Sequence, residues 1–394
     1  MRKVFFMEYR TYGNEDMFEA YERLGTEVFR YTPGEYGGET DLTLRDPDYE
    51  SALSEAISTF SPDYVFSFNY QPVVSAVCET LHTPYVSWVY DNPVVLLYNY
   101  TLANQCNRIF IFDSSQADEF ISGGIKNVHY LPLAANTDRL ERMTGSGNIP
   151  RRELLPNGDI SFIGAMYTEA HNFYDRMSSL PDYARGYLEA IMAAQHNIYG
   201  ADIITGLLSD DIMDAMEAEL HIKPSPTGTE QRSYRYSNYV LARKLTGMER
   251  TEYIEGLAKH YKVDLYTKET ELSLYGVLNH GPVDYYDTAP YIYNLSKINL
   301  NISLRSIHTG IPLRAFDIMG AGGFLLTNYQ SDFEGIFDSG VHYDYYDSFN
   351  SLMERTEYYL SHEAERREIA AQGHNEVKSR HTYIHRIREM EEFL

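Results

Sequence analysis

The sequence contains few cysteines, a minority of basic residues and no long apolar run. Its 394 residues include 2 Cys, and 33 Lys and Arg stand against 57 Asp and Glu, which gives a formal net charge of −24. Cys78 and Cys106 lack metal or redox spacing, so a thiol-reduced, cytoplasmic protein is the default expectation. The acidic balance argues against nucleic acid or an anionic membrane surface as a partner. Since no run of about 18 apolar residues and no signal-peptide pattern occur, we expect no integral membrane span.

The first 140 residues alternate short apolar runs with helical patterns. Continuous apolar runs separated by single helices predict a parallel sheet that is covered on both faces. The helix over 48–60 should be capped by Asp46 or Asp48, because a carboxylate accepts hydrogen bonds from the first turn. The predicted strands are 4–9, 26–32, 63–70, 84–93, 108–113 and 128–134.

A second domain of the same kind is predicted after a linker over 143–158, which is rich in Gly, Pro and polar residues. We expect the first domain over 1–142, the second over 159–376 with a helical insertion at about 170–260, and a helix over 377–394 that returns to the first domain. In the second domain, strands are predicted at 159–167, 262–267, 281–286, 298–303, 323–328 and 340–346. Two tandem α/β domains follow from this order.

Ligands of open parallel sheets bind beyond the carboxyl ends of the strands. In the first domain that edge holds Tyr9, Asn69, Tyr70 and Asp91. A carboxylate that ends a buried strand is partly desolvated, which favours a raised pKa and a role as general base. The Asp91-Asn-Pro sequence is also a good turn, so a purely structural role stays open.

The segment "TGIPLRAFDIMGAGG" (309–323) follows the apolar strand 298–303 and indicates a helix that begins at the sheet edge. The N–H groups of such a first turn bind anions, so a diphosphate would be held by backbone first and by Arg314 second. Asp317, one turn further along, would accept hydrogen bonds from ribose hydroxyls. An ordinary βα unit with an exposed Arg is the alternative interpretation.

Other motifs carry little weight. "DPD" (46–48) has the Asp-x-Asp form of a metal-dependent sugar transferase, but a helix cap explains it better. His171 and His196 show no metal spacing, so no metal site is expected. The absence of a P-loop, of G-x-S-x-G and of G-x-G-x-x-G after the first strand removes the usual support for a kinase, a serine hydrolase or a dinucleotide dehydrogenase.

The block "INLNIS...HTGIPLRAFDIMGAGGFLLTNYQSDFEGIF" resembles the nucleotide-sugar half of the CgeB-type glycosyltransferases, a spore-maturation group. The similarity continues through "SWVYDNP", "YLPLAAN", "ISFIGAMY" and "PYIYNLSKINLN", and so covers most of the chain outside the helical insertion. The resemblance implies a GT-B fold, in which two Rossmann-like domains face a cleft and the second holds the donor nucleotide. It implies a metal-independent, hexosyltransferase-like enzyme that uses a UDP- or dTDP-sugar and a hydroxyl acceptor on a glycan, a protein or an envelope or spore component.

The resemblance also assigns roles to residues. Asp317 takes the place of the second Glu of the E-x7-E motif of related retaining transferases, and Thr309 takes the place of the first. A Thr cannot supply that charge, so retention and inversion both stay open, as does a non-catalytic nucleotide-sugar-binding or scaffold protein. A phosphorylase or an epimerase is a further alternative. The expected catalytic residues are Asp91, Arg314 and His308, the acceptor-side residues are Tyr9, Asn69 and Tyr70, and the nucleotide-sugar-binding residues are Gly164, Tyr266, Thr267, Tyr285, Thr309, Gly310, Ile311, Arg314 and Asp317.

Overall fold

The structure is a computed structural model that describes residues 1–33, 46–147, 151–169, 172–225 and 227–394. It divides into two compact units. Unit 1 comprises Met1–Leu133, Lys223–Gln231 and Tyr383–Leu394, and unit 2 comprises Ala134–Ile222 and Arg232–Thr382. His171 and part of the predicted linker lie outside the described residues.

Unit 1 is built on a parallel sheet of six strands in the order β2-β1-β3-β4-β5-β6. Its central strands are buried along their whole length, as expected for strands covered on both faces. The strand order reverses between β1 and β3, which makes their carboxyl ends the place where a crevice forms. The strands are β1 (Lys3–Met7), β2 (Glu27–Tyr31), β3 (Tyr64–Phe68), β4 (Tyr85–Val89), β5 (Asn107–Ile111) and β6 (Val128–Tyr130).

The helices of unit 1 include one from the far end of the sequence. Tyr383 at the start of that helix packs edge-on against Trp88, with ring centroids 5.8 Å apart. Arg386 donates through Nε to the carbonyls of Pro132 and Leu133 at 2.8 and 3.2 Å. Residues 383–394 therefore complete the packing of the first sheet. The helices of this unit are α1 (Asn14–Arg23), α2 (Pro47–Phe60), α3 (Pro72–Leu81), α4 (Ser114–Ser122) and α16 (Tyr383–Glu391).

Unit 2 contains a second parallel sheet of six strands, in the order β12-β11-β10-β7-β8-β9. The chain enters at β7, adds β8 and β9 on one side, and then adds β10, β11 and β12 on the other. This is the doubly wound Rossmann order, and its switch point lies between β7 and β10. The strands are β7 (Ile160–Ile163), β8 (Val263–Tyr266), β9 (Val277–Asn279), β10 (Ile298–Asn301), β11 (Leu325–Asn328) and β12 (Asp344–Tyr346).

A helical region between β7 and β8 has a core of its own, in which Leu188, Met216 and Val240 are fully buried. A π-helical stretch, Tyr236–Leu241, runs directly into the longest helix of this region. The helices of unit 2 are α5 (Thr137–Gly145), α6 (Phe173–Arg176), α7 (Asp182–His196), α8 (Ile204–Leu207), α9 (Asp210–Glu219), α10 (Arg232–Arg235), α11 (Ala242–Ala258), α12 (Ala289–Leu295), α13 (Leu313–Gly320), α14 (Phe349–Ser361) and α15 (Glu363–Arg380).

The predicted pair of parallel α/β sheets is confirmed. The cap of α2 is confirmed as Asp46, which accepts from the backbone N–H groups of Asp48 and Tyr49 at 3.0 and 3.2 Å. The strand predicted over 281–286 is wrong, because the strand lies earlier, at Val277–Asn279. Pro282 removes a backbone donor, and the Asp284 carboxylate accepts from the N–H groups of Tyr286 and Asp287 and closes a turn.

Candidate nucleotide-sugar site

The candidate site lies at the switch point of unit 2, where Gly164 follows β7 and a loop over 302–312 joins β10 to α13. Gln330 fixes this loop by donating to the carbonyls of Ile307 and Gly310 at 3.2 and 3.1 Å. The Thr309 carbonyl accepts from the Asp332 N–H at 3.1 Å. The loop is therefore held by the residues that follow β11.

Arg314 in the first turn of α13 points its guanidinium back towards the sheet. Nη1 donates to Asn301 Oδ1 at 2.8 Å, and the guanidinium lies 5.1 Å from the centroid of the Phe162 ring. Asn301 is fully buried and is itself oriented by a hydrogen bond to Thr327 Oγ1 at 2.8 Å. A Cβ atom on Gly164 would lie 2.7 Å from Nη2 of Arg314, so only glycine leaves room for this arrangement.

Asp317 lies on the same helix and is 3% exposed. The Tyr285 hydroxyl donates to its Oδ1 at 3.2 Å. Burial raises the pKa of the Tyr293 hydroxyl, with Asp317 raising it further and Arg314 lowering it, so both charges act on this one phenol. The structure thus brings together Tyr285 and Asp317, two of the residues predicted to bind the nucleotide sugar.

A second basic side chain, Arg250 of α11, lies at the same edge of the sheet. It is 3% exposed. Its guanidinium donates to the carbonyl of Ile302 at 3.2 and 2.5 Å and to the carbonyl of Ala165. The pKa of Arg250 is lowered to about 10, mainly because the guanidinium is buried and in part because of the charge of Arg314. Sequence reasoning missed Arg250, although it falls on the buried stripe of α11 together with Thr246, Ile254 and Leu257.

The remaining edge residues of unit 2 serve mainly to shape the loops. Tyr266 is buried and stacks on His280, with centroids 4.6 Å apart. The Thr267 hydroxyl donates to Glu269, and Glu269 Oε1 accepts from the N–H groups of Met166 and Tyr167 at 3.1 and 3.2 Å. Glu269, which the sequence did not single out, therefore ties the loop after β8 to the loop after β7.

The loop residues expected at the site differ in exposure. His308 is half-buried, and its Nε2 lies 3.9 Å from Asp202 Oδ2. Thr309 is half-buried, whereas Gly310 and Ile311 are buried. Of the side chains over 308–311, only those of His308 and Thr309 thus keep exposed surface.

In unit 1 the residues after β3 and β4 form a hydrogen-bonded pair. Asn69 Nδ2 donates to Asp91 Oδ2 at 2.7 Å, and Asn69 Oδ1 accepts from the N–H groups of Tyr90 and Asp91 at 3.1 and 3.2 Å. Asn69 holds φ at 54°, in the left-handed region that Asn tolerates better than most residues. Asp91 keeps exposed surface, yet burial of its carboxyl raises its pKa, while the Asn69 hydrogen bond lowers it.

The two tyrosines expected on the acceptor side point elsewhere. Burial raises the pKa of the Tyr9 hydroxyl well above its ordinary value, and Tyr49 beside it raises the pKa further. Tyr70 is fully buried, and its hydroxyl lies 2.7 Å from Thr101 Oγ1. Of the three residues, the structure therefore places only Asn69 beside Asp91.

The described residues contain neither a metal-binding cluster nor a membrane-spanning helix. No group of three or more His, Cys, Asp or Glu side chains in that part of the chain is arranged to hold a metal ion. Among the helices that the structure describes, none has both the length and the apolar character needed to cross a membrane.

Known proteins give independent comparisons for the fold. Residues 250–392 match the family model described as Glycosyl transferase-like. The chain also resembles the crystal structure of a glycosyltransferase from Rickettsia africae, with a TM-score of 0.54, 10% identity and coverage of 100% of this chain and 97% of that one. The fold is GT-B. A comparison with curated proteins gives no match.

Two further structures with this fold are similar over the whole chain. Sucrose-phosphate synthase from Thermosynechococcus elongatus gives a TM-score of 0.54 at 11% identity, with 100% of this chain and 98% of that chain covered. A UDP-forming α,α-trehalose-phosphate synthase from Burkholderia xenovorans gives 0.53 at 11% identity, with 99% and 98% covered. The matched residues 250–392 include β8 to β12 of the unit 2 sheet and Arg314, whereas β7 and Gly164 precede them.

Proposed function

We propose that this protein is a metal-independent glycosyltransferase that moves a sugar from a UDP- or dTDP-sugar to a hydroxyl acceptor. The observation that carries the proposal is Arg314, a guanidinium oriented by Asn301 at a helix N-terminus beside Gly164. The departing diphosphate gains negative charge as the sugar leaves, and a fixed cation with backbone N–H groups stabilises that charge in the transition state. The name of the UDP-forming synthase with the same fold supports UDP as the first nucleotide to test.

The roles of the remaining residues follow from their chemistry. Asp317 holds ribose hydroxyls, and Tyr285 orients its carboxylate. Asp91 removes the acceptor proton if the anomeric centre inverts, and Asn69 positions it for that step. The acceptor we favour is a glycan, a protein or an envelope or spore component, in keeping with the CgeB-type subgroup that the sequence resembles.

Calorimetric titration with UDP and with dTDP, in the presence and absence of EDTA, tests the nucleotide site. We expect binding by at least one nucleotide to be unchanged by EDTA, because the cations Arg314 and Arg250 and the backbone N–H groups are part of the protein. A screen of nucleotide sugars by thermal shift should then identify the donor, since a ligand at about 100 times its dissociation constant stabilises by about 2.7 kcal/mol. Binding that disappears on chelation would contradict the proposed site.

A non-catalytic nucleotide-sugar-binding protein is the second candidate, and the threonine at position 309 favours it because a carboxylate is lacking there. The two candidates differ in turnover. The transferase releases nucleoside diphosphate from its donor when acceptor or water is present, whereas the binding protein returns the donor intact. Product analysis by chromatography after prolonged incubation distinguishes them.

Replacing Asp317 with Ala should weaken nucleotide binding more than turnover. The carboxylate is proposed to hold ribose equally in the ground and transition states, so its loss should cost about 1–3 kcal/mol of affinity. A 2′,3′-dideoxy nucleotide should bind the parent protein more weakly, yet lose little further affinity in the Asp317→Ala variant. Calorimetry on the four combinations measures this coupling. Additive losses would show that Asp317 does not contact the ribose.

A further inference from the structure

Within the described residues, the buried guanidinium of Arg250 has no carboxylate partner. Among the described residues its hydrogen bonds go to two backbone carbonyls, those of Ala165 and Ile302, and it forms no ion pair. A buried charge is unfavourable unless an opposite charge or several strong hydrogen bonds compensate it. Arg250 is therefore a buried cation that hydrogen bonds to carbonyls stabilise in part, and for which the described residues supply no paired carboxylate.

The neighbouring charges increase this imbalance. Glu249 is fully buried beside Arg250, but Arg305 holds both of its carboxylate oxygens at 2.8 and 2.9 Å. Arg314 adds a second guanidinium that contacts the amide of Asn301. Asp317 already accepts a hydrogen bond from Tyr285. The carboxylates Glu249 and Asp317 thus have other partners, while the two cations Arg250 and Arg314 lie at the same edge of the sheet.

The position of Arg250 is fixed by a close helix approach. A Cβ atom on Gly247 would lie 2.8 Å from the Tyr167 carbonyl, so glycine lets α11 pass directly against the loop that follows β7. Ala165 and Ile302, whose carbonyls Arg250 holds, follow Gly164 and Asn301. These are the two residues that surround the Arg314 guanidinium. Arg250 therefore joins the two strand ends between which the proposed diphosphate lies.

We propose that Arg250 is a positioning residue for the donor diphosphate, which provides the anion that this buried cation lacks. Arg250 acts by its charge and by fixing the carbonyls of Ala165 and Ile302. Nucleotide binding then neutralises the local positive charge of the Arg250 and Arg314 guanidinium groups. The inference rests on the proposed function, because it assumes that a nucleoside diphosphate is the ligand of the site.

The test compares ligands of increasing negative charge. Dissociation constants for uridine, UMP and UDP are measured by calorimetry for the parent protein and for Arg250→Gln, which keeps a donor for the carbonyls but loses the charge. We expect the affinity for UDP to fall by at least about tenfold, since a charge-assisted interaction is lost, while the affinity for uridine stays nearly constant. Arg250→Lys keeps the charge and should preserve most of the ratio between the UDP and uridine affinities.

Lys244→Gln is the matched control, because Lys244 lies on the same helix but pairs at the surface with Asp175 at 2.7 Å. It should leave both affinities unchanged. Equal losses of UDP and uridine affinity in Arg250→Gln, or a UDP-to-uridine ratio in Arg250→Lys as low as in Arg250→Gln, would overturn the inference and assign Arg250 a purely structural role. A parent protein that binds none of these three ligands and also fails to bind dTDP would instead reject the proposed function.

Discussion

Replacing Arg314 with Gln should lower turnover by roughly 100- to 1,000-fold, the range for removing one preorganised donor at developing negative charge. The affinity for the intact donor sugar nucleotide should fall less, because the charge on the diphosphate rises only as the sugar leaves. Steady-state kinetics with the donor identified by thermal shift gives kcat, and calorimetry gives the ground-state affinity. If only the affinity falls and kcat is unchanged, Arg314 contributes to donor binding but not to the chemical step.

Two further variants make this result specific. Arg367→Gln removes an arginine whose side chain is 76% exposed, and it should change neither quantity. Gly164→Ala introduces a Cβ 2.7 Å from Nη2 of Arg314 and should displace the guanidinium. Its effect on kcat should therefore largely vanish when Arg314 is already Gln, because both changes remove the same interaction. Independent, additive losses would show that Gly164 matters for another reason.

If the anomeric centre inverts, replacing Asp91 with Asn should lower turnover by about 100- to 10,000-fold with donor affinity nearly unchanged, as expected for loss of a general base. The base acts only when it is ionised. Since burial raises the pKa of Asp91, its carboxylate is lost as the pH falls through that raised value, and activity should fall on the acidic side for the same reason. The pH profile of kcat/KM measures this fall in activity at acidic pH. The residual activity of Asp91→Asn should not show it.

The neighbour of Asp91 offers an internal check. Asn69→Gly removes the amide that donates to Asp91 Oδ2, while glycine accepts the backbone φ of 54°. Since that hydrogen bond lowers the pKa of Asp91, its loss should raise the pKa and move the acidic limb to higher pH. An unchanged pH profile in Asn69→Gly, together with unchanged turnover in Asp91→Asn, would show that Asn69 and Asp91 only stabilise the turn.

The sequence was most informative where the determinants are local. Apolar runs identified the strands, and the carboxylate three residues before Tyr49 identified the start of α2. The strand expected over 281–286 was misplaced because the turn chemistry of Asp284 outweighs the apolar residues there. The residues of the candidate site were harder to predict from the sequence. Arg250 contacts carbonyls 52 and 85 positions away, and no local pattern encodes such a contact.

The direction in which a side chain points at a strand end was equally hard to predict from the sequence. Tyr70 follows β3 where a ligand residue is expected, yet its hydroxyl bonds to Thr101, which is 31 positions away. Asn69, its immediate neighbour, stays at the edge beside Asp91. Position along the chain identified the edge of the sheet, but the tertiary partners decided which of these side chains remain available there.

Residues 383–394, which complete unit 1, leave the ribosome only after all of unit 2 has been made. During synthesis amino-terminal domains generally fold first, as soon as their chain is available. Here Trp88 lacks its ring contact with Tyr383, and the carbonyls of Pro132 and Leu133 lack their donor Arg386, until those last residues have been made. All residues of unit 2, 134–222 and 232–382, are synthesised before residues 383–394. The second half of the protein can therefore reach its final packing while the first half still lacks its last helix.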